Sequence, residues 1–126
     1  MNVAEKTRLV VDAALTVKAE DVVALDVKRL ASFADVFVVA TGRSDRQVRA
    51  VADSIEKAMR EAGEAVLGVE GYPEGRWVLI DLADVIVHVF QPEPRARYDI
   101  ERLWSDAPQL AVPQVLPAAP AEKRVR

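Results

Sequence analysis

The sequence predicts a single mixed α/β domain: a sheet of about five strands with helices packed on it, in the order α-β-β-α-β-β-β-α. Three observations lead there. Asp35 to Thr41 (DVFVVAT) is a nearly continuous apolar run, the pattern of a strand buried on both faces. Ser44 to Gly63 carries apolar residues at helical spacing between a capping residue and a terminating glycine. Two further apolar runs, Trp77–Ile80 and Val85–Phe90, meet at Leu82-Ala83 with an aspartate on each side, which reads as a two-residue β-hairpin.

Each element follows from its residues. Residues 4–18 suit a helix, with Val10, Val11, Ala14, Leu15 and Val17 apolar among Glu5, Lys6, Arg8, Asp12 and Lys18. Val22–Val27 is short and rich in branched residues, a strand. Asp35–Thr41 is the next. In the long helix Ser44 is a good N-cap and Gln47, three residues on, completes a capping box. Val48, Val51, Ala52, Ile55, Met59 and Ala62 line one face, and Gly63 follows as the C′ residue. Glu64–Glu70 is a third strand, followed by a turn through Gly71-Tyr-Pro-Glu-Gly75. In most proteins the connection from the second strand through this helix to the third is a right-handed crossover.

In the hairpin, Asp81 is expected opposite Asp84, Leu79 opposite Ile86 and Trp77 opposite His88. Alternation then places Val78, Ile80, Val85, Val87 and Val89 on one face. The other holds Trp77, Leu79, Asp81, Asp84, Ile86, His88 and Phe90. The aliphatic face suits packing under helices; the mixed face suits contact with something else. Pro92 and Pro94 stop the last strand. A short helix from about Arg95 to Ser105 is expected to bury Ile100, Leu103 and Trp104. The domain is expected to span 1–106 and a flexible Pro/Ala-rich tail with a basic Lys123-Arg124-Val-Arg126 end to span 107–126.

Composition bounds the chemistry. The chain has 126 residues, 51% apolar and 29% charged, enough to bury a core without metals or disulfides. There is no cysteine, which excludes thiol and disulfide chemistry. The start lacks the apolar segment of a secretory signal, and no run approaches the length of a membrane span, so the expectation is a soluble, cytoplasmic protein. A net charge of −3 disfavours broad adhesion to nucleic acid but not a basic protein partner.

Candidate chemistry is sparse. His88 is the only histidine; a Ser-His-Asp arrangement would need Asp81 or Asp84 to orient it and Ser32, Ser44, Ser54 or Ser105 as nucleophile. It sits mid-strand between valines and no serine lies in an elbow motif, so a structural or interface role is favoured. Asp81 and Asp84 flank a turn, where aspartates bond nearby amides, and two hard ligands make no metal site. Val38-Val-Ala-Thr-Gly42-Arg43-Ser44 forms a strand, glycine turn and helix start suited to phosphate. It matches neither the P-loop nor the G-x-G-x-x-G pattern. A nucleotidyltransferase would follow it with two metal-binding carboxylates on the next strand, where only Glu70 is found. A nucleotide-binding enzyme of that kind is the alternative reading.

The stretch Gln91-Pro-Glu-Pro-Arg95-Ala-Arg97-Tyr98-Asp99-Ile-Glu101-Arg102-Leu-Trp104 gathers Tyr, Trp and Arg, residues enriched at interface hot spots. With Trp77 and Phe90 beside them they would make an aromatic patch rimmed by Asp81, Asp84 and Asp99, suited to a partner carrying Lys and Arg. Core filling by the same aromatics fits the pattern equally well.

Several pieces occur in order: Ala24-Leu-Asp26, Ala34-Asp35 with Val38-Val39-Ala40-Thr41-Gly42, Gly68-Val-Glu70-Gly71, Trp77 through Phe90, and Arg95-x-x-Tyr98-x-x-Glu101-x-Leu103-Trp104. Together they resemble the ribosomal silencing factor family, also called RsfS or Iojap-like, over about residues 4–106. The resemblance implies a fold related to nucleotidyltransferases without enzymatic activity. It also implies binding to ribosomal protein uL14 of the large (50S) subunit, a block on joining of the small (30S) subunit that lowers translation under nutrient limitation, and a homodimer. No cofactor, metal or catalytic residue is expected. The partner-facing residues are expected to be Trp77, Leu79, Asp81, His88, Arg97, Tyr98 and Asp99. No membrane and no specific nucleic acid is expected as a partner, beyond weak rRNA contact by the tail. One departure stands out: many relatives have glycine where this chain has Ala83, a turn position that favours positive φ.

Overall fold

The structure is a computed structural model and describes residues 1–114. Helix α1 (Val3–Thr16) opens the chain, followed by β1 (Glu20–Asp26), β2 (Val36–Thr41) and α2 (Asp45–Glu61). Then come β3 (Gly68–Glu70), β4 (Trp77–Asp81) and β5 (Val85–Phe90), two short helices α3 (Pro92–Tyr98) and α4 (Ile100–Leu103), and β6 (Gln109–Leu110). The strands form one mixed sheet of six in the order β3-β4-β5-β2-β1-β6, in which only β2 and β5 pair in parallel. The chain leaves β2, crosses over through α2 to the far edge at β3, and returns as an antiparallel meander that places β5 beside β2.

Both long helices lie on one face. Val10, Val11 and Ala14 of α1 and Val48, Val51, Ala52, Ile55 and Met59 of α2 meet Val38, Val78, Ile80, Val85, Val87 and Val89 in one buried cluster. The expected apolar faces are therefore real, with Ala62 as the exception, since it caps α2 at the surface. β2 is buried on both faces, as its unbroken apolar run requires. Polar contacts lock the two helices together: Ser54 Oγ donates to the Ala13 carbonyl at 2.7 Å, and Gln47 Nε2 donates to the Val17 and Lys18 carbonyls.

That last contact corrects the expected capping box. Ser44 does cap α2 by accepting from the Gln47 N–H, but Gln47 Oε1 accepts from the Arg43 N–H instead of closing the box. The complete box is at α1, where Asn2 and Glu5 exchange side-chain to backbone bonds.

The hairpin register also differs from expectation. Asp81 lies opposite Ile86, Leu79 opposite His88 and Trp77 opposite Phe90. The tight turn is thus Ala83-Asp84, closed by the Leu82 N–H on the Val85 carbonyl. Ala83 adopts φ +76°, and its N–H donates to Asp81 Oδ1 at 2.9 Å. The pairing moves by two residues, an even step, so the side chains within the strands keep their assigned faces, whereas Asp84, now in the turn, meets Lys6 of α1 instead of the mixed face.

The terminal helix is broken. Asp99 takes a left-handed conformation at φ 46° and divides α3 from α4. Ile100 is buried as expected, but Leu103 is 77% exposed because the break rotates it away from the sheet. The chain also packs beyond residue 106. Ala107 is buried, β6 pairs with β1, and Gln114 uses its side-chain amide to bond both the N–H and the C=O of Val22. The first part of the expected tail therefore belongs to the fold; the rest, with the basic end, lies outside the described residues.

Candidate partner-binding surface

The sheet face opposite α1 and α2 carries an aromatic row. β4 presents Trp77, Leu79 and Asp81; β5 presents Ile86, His88 and Phe90; β2 presents Phe37 and Val39. Trp77 packs between two rings, Phe90 at 4.9 Å and Tyr98 at 4.8 Å between centroids. Its indole Nε1 donates to His88 Nδ1 at 3.1 Å. The row continues from His88 to Phe37 at 5.4 Å and from Phe37 to Trp104 at 5.0 Å, both edge-on, the favoured aromatic geometry. Phe33 closes it, packed on Phe37 and Trp104.

Only part of this face is covered. α3 and α4 shield Phe90, which is fully buried with Val39 and Ile100. Trp77 and Leu79 remain half-buried, while Tyr98 is 48% and Phe33 62% exposed. A run of large apolar groups left partly open beside charged residues is the surface expected of a docking site.

The seven expected partner-facing residues separate into two groups. Trp77, Leu79, Tyr98 and Arg97 come together: Tyr98 leans on Trp77, Leu79 shares its strand face, and the Arg97 guanidinium lies 5.8 Å from the Tyr98 ring centre. Arg97 and Arg76 both bond Glu93, and these bonds, Arg76 first, hold the Glu93 carboxyl below its usual pKa. His88 is only 7% exposed and lies beneath Trp77 instead of at the surface. Asp81 sits at the far end of β4, where it receives the Ala83 N–H and shapes the turn. Asp99 lines a different feature, an open charged cleft of about 520 Å³ shared with Glu20, Asp21, Thr41, Arg43, Arg95 and Glu101.

The expected acidic rim is shorter than supposed. Asp84 is engaged by Lys6, whose Nζ lies 2.7 Å from Asp84 Oδ1, 3.2 Å from Glu64 Oε1 and 3.1 Å from the Leu82 carbonyl. Burial works against the Lys6 charge, but Asp84 and Glu64 outweigh it and hold its pKa above the ordinary value.

Among the described residues no Ser-His-Asp arrangement forms around His88. Nδ1 accepts from Trp77, so the ring proton sits on Nε2. That nitrogen has no partner, alone among the buried side-chain polar atoms of the described residues. Burial pushes the His88 pKa down to about 4. Among the described residues no serine or carboxylate bonds the ring, and the aromatic neighbours are Trp77, Phe37 and Phe90. Among the described residues no cluster of His, Asp and Glu has the form of a metal site. At the start of α2 the Gln47 and Arg43 amides are already used, by Ser44 Oγ and Gln47 Oε1, and Arg43 is paired with Glu20 at 2.7 Å. Those donors are therefore not open to a phosphate at Gly42-Arg43-Ser44.

Sequence reasoning missed Phe33 and Phe37 as members of this face. Phe33 carried a signal, a lone aromatic in the loop between two strands; Phe37 was hidden inside an apolar run.

Comparisons with known proteins bear on the family and the fold. The family model described as "Ribosomal silencing factor during starvation" matches residues 1–126. The chain is 45% identical over 112 residues to the ribosomal silencing factor RsfS of Halalkalibacterium halodurans, covering 89% of this chain and 96% of that protein. It is 42% identical over 113 residues to RsfS of Chromobacterium violaceum, covering 89% and 93%. A crystal structure of a Chromobacterium violaceum protein superposes with a TM-score of 0.83 at 42% identity, covering 90% of this chain and 96% of that one.

Proposed function

The chain belongs to the ribosomal silencing factor family, and from that premise we propose that it represses translation by binding ribosomal protein uL14 on the large subunit and blocking the approach of the 30S subunit. The repression acts by occupancy: no bond is made or broken, and no cofactor takes part. The observation that carries this reading is the half-open aromatic face built on Trp77 and Tyr98. It offers large rigid rings with little side-chain entropy to lose, flanked by Arg97 and by carboxylates. A standard interface of about 1,200–2,000 Å² in total is enough for such a block.

The protein works in the cytoplasm, where subunits join, and no helix among the described residues is long and apolar enough to cross a membrane. We read it as a homodimer in its free state. Sedimentation through sucrose gradients with purified 50S and 30S particles tests the proposal. Co-migration with 50S and a loss of 70S is expected; migration at the top of the gradient with 70S undiminished would refute it.

A further inference from the structure

We propose that Arg95 is the positioning residue of this surface: its guanidinium sets the place of α3, and through α3 that of Tyr98, without meeting the partner itself. The inference rests on the reading of the Trp77–Tyr98 face as the uL14 site.

Apart from the exposed Arg76–Glu93 pair and the Tyr98–Trp77 ring contact, α3 has little else to hold it. It spans seven residues, too short to be stable alone, and buries only Pro94. Its N-cap Gln91 gives no side-chain cap, and its C-terminal end runs into the left-handed Asp99. One buried proline ring and one half-exposed tyrosine fix rotation about the helix axis only weakly.

Arg95 removes that freedom. Its side chain is 14% exposed and points back to the sheet. Nε and Nη2 grip both oxygens of Glu101 at 3.0 and 3.2 Å, joining α3 to α4 across the break. Nη1 donates to the Asp21 carbonyl and to Thr41 Oγ1, each at 2.7 Å. Asp21 lies in the irregular start of β1 and Thr41 ends β2, so one planar group ties three separate segments to α3. A fork of fixed geometry does this; an ammonium cannot. Two and three residues further along the helix come Arg97 and Tyr98, the ring that leans on Trp77. The Arg95 anchors border an open cleft, so water can replace the lost bonds. Loss of the fork should therefore disturb the surface locally and leave the α1–α2 core intact.

The test uses the full chain with Arg95→Gln and Arg95→Lys. In NMR spectra the Trp77–Tyr98 ring contact should disappear in Arg95→Gln while the methyl signals of Val51, Ile55 and Val87 stay in place. Affinity for purified uL14 should fall about tenfold, and less than about threefold once Tyr98→Ala is already present, because the two residues act through one another. Arg95→Lys should recover only part of both signals. A persisting ring contact, equal losses with and without Tyr98, or full rescue by lysine would overturn the proposal. If the unmodified protein fails to bind uL14, the partner reading falls, and the ring contact still decides the role of Arg95.

Discussion

Replacing Ala83 by glycine should stabilise the protein. Ala83 holds φ +76° at the first central position of the β4–β5 turn, where the partner turn residue Asp84 keeps a negative φ. An L-residue with a Cβ meets its own carbonyl there, a cost of about 1–2 kcal/mol. Glycine lifts that cost but loses about 0.5–1 kcal/mol through the greater freedom of the unfolded chain. Ala83 is exposed, so no packing is lost with its methyl group. The balance is a gain of roughly 0.5–1 kcal/mol, or roughly 2–5 °C in Tm for a chain of this size. Urea unfolding followed by circular dichroism measures it, as a higher midpoint with an unchanged slope. Ala83→Val is the paired control, expected to destabilise by more than about 1 kcal/mol because a branched Cβ is worse at positive φ. Glycine lowering the midpoint, or valine leaving it unmoved, would refute the strain argument.

Three further perturbations test other parts of the structure. Tyr98→Ala and Trp77→Ala should each weaken uL14 binding by about 2 kcal/mol, roughly thirtyfold, if these rings are hot spots; wild-type retention in a quantitative pull-down would exclude them. Burial lowers the His88 pKa to about 4, against an ordinary value of 6.5, so the unfolded chain takes up the proton first as pH falls. Its contribution is complete above about pH 6.5 and lost towards pH 4, a change of about 3 kcal/mol that His88→Phe should flatten in pH-resolved urea titrations. Lys6→Met keeps the apolar stem but strands Asp84 and Glu64; thermal unfolding should report a loss of about 2 kcal/mol, and an unchanged Tm would show that the buried pair contributes nothing net.

What the sequence made legible was periodicity. The faces of β4, β5 and α2 follow from spacing alone, which is why they stand although the hairpin pairs two residues away from the expected register. Register depends on which residue takes the strained turn position, and an alanine there gives no signal. The break at Asp99 was invisible for a similar reason: aspartate tolerates the left-handed region, so the apolar spacing of Ile100, Leu103 and Trp104 read as one continuous helix. Contacts between distant segments left no trace. Lys6 and Asp84 are 78 positions apart, and nothing in either neighbourhood announces the pair. Of the expected surface, Trp77, Leu79, Arg97 and Tyr98 assemble because strand parity and the short connection after β5 bring them together. His88 went under the ring above it because its Nδ1 serves the Trp77 indole.

The Gln114 amide has a consequence for handling a protein that displays aromatic rings. A sheet with a long bare border invites other chains to extend it, and growth of that kind is how fibrils start. Here one border is a strand of three residues, and the other is occupied by a two-residue strand with a side chain imitating peptide groups at Val22. Sticky contacts are thereby steered to the rings on the sheet's face, where association stops at a discrete complex, and away from the borders, where it would propagate.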